Sequence, residues 1–99
     1  MSYTMFGPAR YKYLSKVISL RSPAEARKST YELGEAFFVA STGTKRLRIA
    51  RATQLAANRA RVLSNNRNIS SKERAEYRQI AKIYNDTAKG MFMVYRGNK

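Results

Sequence analysis

Three stretches of the chain place small or apolar side chains three and four residues apart, the spacing that lines up one face of an α-helix. The first stripe is Ala26, Thr30, Leu33, Phe37 and Ala40, and the second is Ile49, Ala52, Ala56, Ala60 and Leu63. The third is Tyr77, Ile80, Ala81, Tyr84, Ala88 and Met91. Together they predict helices over residues 22–40, 45–63 and 70–90. The second stripe is mostly alanine, so that helix can lie close against its neighbours.

Local signals agree with these boundaries. Ser22-Pro23-Ala24-Glu25 reads as a helix start: Ser22 can accept from an open amide, Pro23 supplies a fixed φ, and Glu25 can reach back to the cap. Ser70-Ser71-Lys72-Glu73 repeats the capping-box pattern. Between the first two helices, Thr42-Gly43-Thr44 predicts a break in which Gly43 turns left-handed and Thr44 caps the next helix. Gly34 costs the first helix about 1 kcal/mol relative to Ala, or else admits another backbone. Ser64 to Ile69, with Asn65, Asn66 and Asn68, is a polar connector. It is too long for the turn of a helix-turn-helix.

The ends of the chain are patterned differently. Ser2 to Phe6 looks extended, and Tyr11, Leu14, Val17 and Ile18 suit a short helix after Pro8. Gly90 is a candidate stop, after which Met91 to Tyr95 has β character or frays as helix to Met93. Pairing of Ser2–Phe6 with Met91–Tyr95 would make a two-stranded element beside the helices. Such strands need support from the helices or from another copy, so a homo-oligomer joined through the terminal segments is a further expectation. The fold class that follows is mainly α: a small three- or four-helix bundle in one domain over residues 1–99, with a short β element at the termini. Residues 1–21 form an N-terminal arm or short helix and residues 91–99 a β-prone tail.

Charge changes this picture from a fold to a partner class. The 99 residues carry 20 Lys and Arg against 6 Asp and Glu, a net charge of +14 with no histidine. From Glu35 to Glu73 no acidic residue intervenes, although Lys45, Arg46, Arg48, Arg51, Arg59, Arg61, Arg67 and Lys72 all fall there. Unbalanced charges of one sign repel, and a polyanion relieves that repulsion. With 43% hydrophobic residues the chain still has material for a packed core.

Composition also removes chemistry. Without Cys or His there is no disulfide, thiolate nucleophile, zinc finger or Ser-His-Asp arrangement. The five glycines are scattered and form no phosphate loop. Glu32 and Glu35 share a helix face, but carboxylates on so basic a chain more simply serve as caps or pair with Arg and Lys. The expectation is a protein that is not an enzyme and that uses neither cofactor nor metal. No apolar run reaches membrane-spanning length and no secretory leader is evident, so the expected setting is intracellular, in cytoplasm or nucleoid, or in a virion.

The predicted interface is the second helix with its connector. Arg51, Gln54, Asn58 and Arg61 fall on one outward ridge, where their side chains suit phosphates and base edges. Lys45, Arg46, Arg48 and Arg59 broaden it, Arg67 adds the connector, and Arg74 and Arg78 continue onto the third helix. The partner expected is nucleic acid, DNA ahead of RNA because the ridge belongs to a regular helix. The role expected is architectural or packaging. Two alternatives accompany it: a virion or assembly protein that self-associates or meets an acidic protein, and an RNA-binding component of a ribonucleoprotein. Binding to a membrane surface ranks below these, because the second helix commits its apolar stripe to packing alanines.

Overall fold

The computed structural model describes residues 17–97, which contain three α-helices and no strand. Helix α1 is Pro23–Val39, α2 is Gly43–Ser64 and α3 is Ser71–Gly97. The mainly α expectation holds for these residues. The Ser2–Phe6 half of the suggested β element lies outside them, as do Tyr11 and Leu14.

The caps explain where each helix begins. Ser22 accepts from the Glu25 amide at 3.1 Å, and Pro23 occupies the first helical position. The Glu25 carboxylate does not return to the cap as expected; it accepts from the Ser19 hydroxyl at 3.1 Å, tying the preceding segment to α1. At α3 the capping box closes reciprocally, Ser70 Oγ accepting from the Glu73 amide while Glu73 Oε1 accepts from the Ser70 amide, both at 3.1 Å.

The break between α1 and α2 differs from its sequence reading. Ala40 is extended (φ −62°, ψ 134°), so the chain leaves α1 without a left-handed residue, and no described glycine has positive φ. Thr42, also extended, is the cap, its hydroxyl accepting from the Lys45 amide at 3.2 Å. Gly43 is already the first helical residue. The cap therefore sits two residues earlier than Thr44.

The C-terminal strand expectation is also corrected: Met91 to Tyr95 are helical, and α3 runs on past Gly90. The reason is burial. Tyr84, Ala88, Met91 and Tyr95 continue one helical stripe, with Met91 buried and Phe92, Val94 and Tyr95 packed against the core. Tertiary packing of that stripe outweighs the local β preference and the cost of one glycine.

Helices α2 and α3 form an antiparallel hairpin. Tyr95 Cε1 lies 3.5 Å from where a Cβ on Gly43 would stand, and Gln54 meets Asn85 at 3.3 Å. Going up α2 from Gly43 to Gln54 thus matches going down α3 from Tyr95 to Asn85, which fixes the register of the pair. Ala50, Ala56, Ala57 and Ala60 are buried along α2, and such small side chains let two helix axes approach closely. Thr53 is fully buried in the same stripe, its hydroxyl donating to the Ile49 carbonyl at 2.9 Å. The buried face is therefore broader than the predicted stripe, in which Ala52 and Leu63 are only half-buried. Helix α1 covers the hairpin with Ala26, Ser29, Leu33 and Phe37, Ser29 taking the inward place expected of Thr30.

Candidate nucleic-acid interface

Charge is polarised among the three helices. Helix α2 carries Lys45, Arg46, Arg48, Arg51, Arg59 and Arg61 with no acidic residue, and α3 carries Lys72, Arg74, Arg78, Lys82, Lys89 and Arg96 against Glu73, Glu76 and Asp86. Helix α1 carries Arg27 and Lys28 against Glu25, Glu32 and Glu35. Two of the α3 carboxylates are engaged within their own helix: Glu73 closes its own cap, and Asp86 pairs with Lys82 at 3.2 Å.

Arg51, Asn58 and Arg61 are exposed, but Gln54 is half-buried because its amide donates across the hairpin to Asn85 Oδ1 at 3.3 Å and along α2 to Asn58 Oδ1 at 3.2 Å. This amide chain marks the polar edge of the α2–α3 seam. With the register set by Gln54 and Asn85, seven residues on in α2 is Arg61 and seven back in α3 is Arg78. Seven residues make about two helical turns, so these two exposed arginines stand at the same level on the same side of the seam. Three residues back in α2 is Arg51 and four on in α3 is Lys89, so these two differ in level by about one residue's rise. The seam is thus edged by cations from both helices, with amides between them. In the α3 half of this edge, charge patterning points to Arg78 but not to Asn85 and Lys89, whose relation to α2 depends on the hairpin register.

Other predicted residues turn elsewhere, and Arg51 lies between the seam and a second feature. Arg48, Arg51 and Arg59 border a groove of about 580 Å³ between α2 and the segment before α1, floored by Ile18, Leu20, Leu47, Ala52, Leu55 and Ala56. Arg46 turns back towards α1, its guanidinium carbon 5.8 Å from the centre of the Phe37 ring and its Nε buried without a hydrogen-bond partner. Lys45 donates to Ser41 Oγ at 3.3 Å, beside the α1–α2 break. Arg74 holds Ser71 at 3.3 Å and likewise buries its Nε. Arg67 is exposed in the connector, where Asn66 Oδ1 accepts from the Asn68 amide at 2.9 Å and sets a tight turn.

The predicted set therefore wraps around α2 and does not form one line. Gln54, Asn58, Arg61 and Arg78 gather at the seam with Arg51 at its edge, Arg48 and Arg59 face the groove, and Lys45 and Arg46 belong to the α1 side. Charge spacing along the chain could not separate these groups, because each lies within a few residues of the next on the same helix.

Among the described residues no three His, Cys, Asp or Glu side chains gather as metal ligands, and no helix is long and apolar enough to cross a membrane. Compared with protein-family models, curated proteins and solved structures, the chain matches none.

Proposed function

We propose that this chain is a non-enzymatic nucleic-acid-binding protein that neutralises phosphates along the α2–α3 seam and the adjoining surface of α2. The observation that carries the reading is the six cations of α2 with no acidic residue on that helix, continued across the seam by Arg78 and Lys89. Arginine forks suit phosphate oxygens, and the Gln54, Asn58 and Asn85 amides between them can hydrogen-bond sugar or base edges. Because the cationic surface is wide and wraps a helix, an architectural or packaging role fits it better than recognition of one site. A regular helical edge also favours duplex DNA over RNA.

The test is fluorescence anisotropy of a labelled DNA duplex and of an RNA hairpin, titrated with nuclease-treated protein at stepped salt. Neutralising several phosphates releases condensed counterions, so affinity is expected to fall by about a thousandfold or more between low and moderate salt. The duplex should bind more tightly than the hairpin. Failure of both nucleic acids to bind in low salt, with binding of an acidic protein instead, would transfer the basic surface to a protein partner.

A further inference from the structure

We infer that the outer face of α1 is a self-association surface on which a second copy of this chain docks in two-fold, antiparallel fashion.

Lys28, Tyr31, Glu35 and Phe38 follow one another at three- and four-residue steps along α1, and all are exposed. Tyr31 is 72% and Phe38 64% accessible, the two largest exposed apolar side chains among the described residues. Phe38 is not loosely placed: its ring meets the buried Phe37 edge to face, with centroids 5.5 Å apart. Between the two aromatics in sequence lies Gly34, and apart from its own helix backbone no described residue comes within 4 Å of the space a Cβ would fill. Gly34 therefore does not serve close packing among the described residues of the bundle. It leaves a low point between two aromatic prominences on an open face.

The choice of a second copy as occupant rests on charge. A chain of net charge +14 repels its own kind over most of its surface. Helix α1, whose three carboxylates outnumber its two cations, is the described helix against which that repulsion is weakest. The stripe is also complementary to itself. Lys28 and Glu35 are seven residues apart, about 10.5 Å along the helix, too far to pair within one chain. A two-fold axis passing near Tyr31 and Glu32 brings Lys28 of each copy to Glu35 of the other, because an isologous contact repeats every pair twice. At that register Tyr31 of each copy stands beside Glu32 of the other and leans towards its Gly34 notch, while Phe38 of each copy reaches the level of Glu25 at the start of the other α1. Such an interface also leaves the α2–α3 seams free on the outside of the pair.

Sedimentation velocity on the nuclease-treated full chain, across a concentration series, tests this surface apart from nucleic-acid binding. A reversible monomer–dimer equilibrium is expected, and it should tighten as salt screens the net repulsion. The paired replacement Tyr31→Ala and Phe38→Ala should abolish it with the helical spectrum unchanged. The decisive variant is Lys28→Glu. It lowers the positive charge of each chain, so bulk electrostatics alone would strengthen association. In the two-fold pair, however, each introduced carboxylate would face Glu35 of the other copy, and two such repulsive contacts should weaken the dimer by about tenfold. Adding Glu35→Lys to Lys28→Glu should restore wild-type affinity. A monomer at every concentration, a dimer indifferent to the aromatic replacements, or one that tightens with Lys28→Glu would each overturn the inference.

Discussion

The phenol of Tyr84 grips both backbone groups of Ser19: it donates to the Ser19 carbonyl at 2.7 Å and accepts from the Ser19 amide at 2.9 Å. Tyr84 is fully buried in α3, so this double bond fastens the segment before α1 to the centre of the bundle. That segment also contributes Ile18 and Leu20 to the groove bordered by Arg48, Arg51 and Arg59.

Replacing Tyr84 with Phe keeps the ring and deletes both bonds, leaving an amide and a carbonyl without their partner. A loss of about 1–3 kcal/mol is expected for stranding such groups. For a domain of this size that lowers the melting temperature by roughly 4–8 °C per kcal/mol. Thermal melting followed by circular dichroism checks the magnitude. Amide exchange at Ser19 checks the cause, since its protection should fall more than that of the helical core.

Gly90 offers the opposite sign. It lies inside α3, its φ is not positive, and a Cβ there would meet nothing within 4 Å. Gly90→Ala should therefore stabilise the protein by about 0.5–1 kcal/mol, by reducing the backbone entropy lost on folding. A raised melting midpoint with unchanged helical content is the expected result; a lowered one would mean that the bundle needs the glycine.

The Gln54–Asn85 contact should be measurable as a coupling between helices. Single alanine replacements at Gln54 and Asn85 each remove the same cross-hairpin bond, so their stability effects should not add. A coupling of about 0.5–1.5 kcal/mol is expected from a double-mutant cycle in denaturant unfolding. Additive losses would mean that the bond contributes nothing to the register of the seam.

Much of this architecture is readable from residue order. Ser22 and Ser70 mark helix starts because their chemistry is local, and Ala26, Leu33, Phe37, Ile80, Tyr84 and Ala88 mark the core because their spacing is periodic. What escaped the sequence depends on contacts between distant segments. Met91 to Tyr95 are helical because they are buried against the other helices, which no local preference encodes. Gln54 is half-buried because Asn85 stands opposite, 31 residues away along the chain. Arg46 reads as one more surface cation until α1 brings Phe37 beside it. The candidate interface was legible as an arginine-rich helix; its division into seam, groove and α1 side was not, because that division is made by the neighbours of α2.

That division can be tested by position at constant charge. Arg61 and Arg78 are exposed at one level of the seam, whereas Arg21 and Arg27 are exposed on the side of α1. Each pair replaced by Ala removes the same two positive charges, and none of the four side chains lies in the core. If the seam meets phosphate, Arg61→Ala with Arg78→Ala should weaken duplex binding substantially and reduce the slope of log affinity against log salt by about 2, one for each phosphate no longer neutralised. Arg21→Ala with Arg27→Ala should leave that slope nearly unchanged and lower affinity only slightly. Both doubles should stay within about 1 kcal/mol of the parent in stability, which keeps folding out of the comparison. Equal slopes and equal losses in the two doubles would show binding through net charge alone, and the seam would then have no special claim on the nucleic acid.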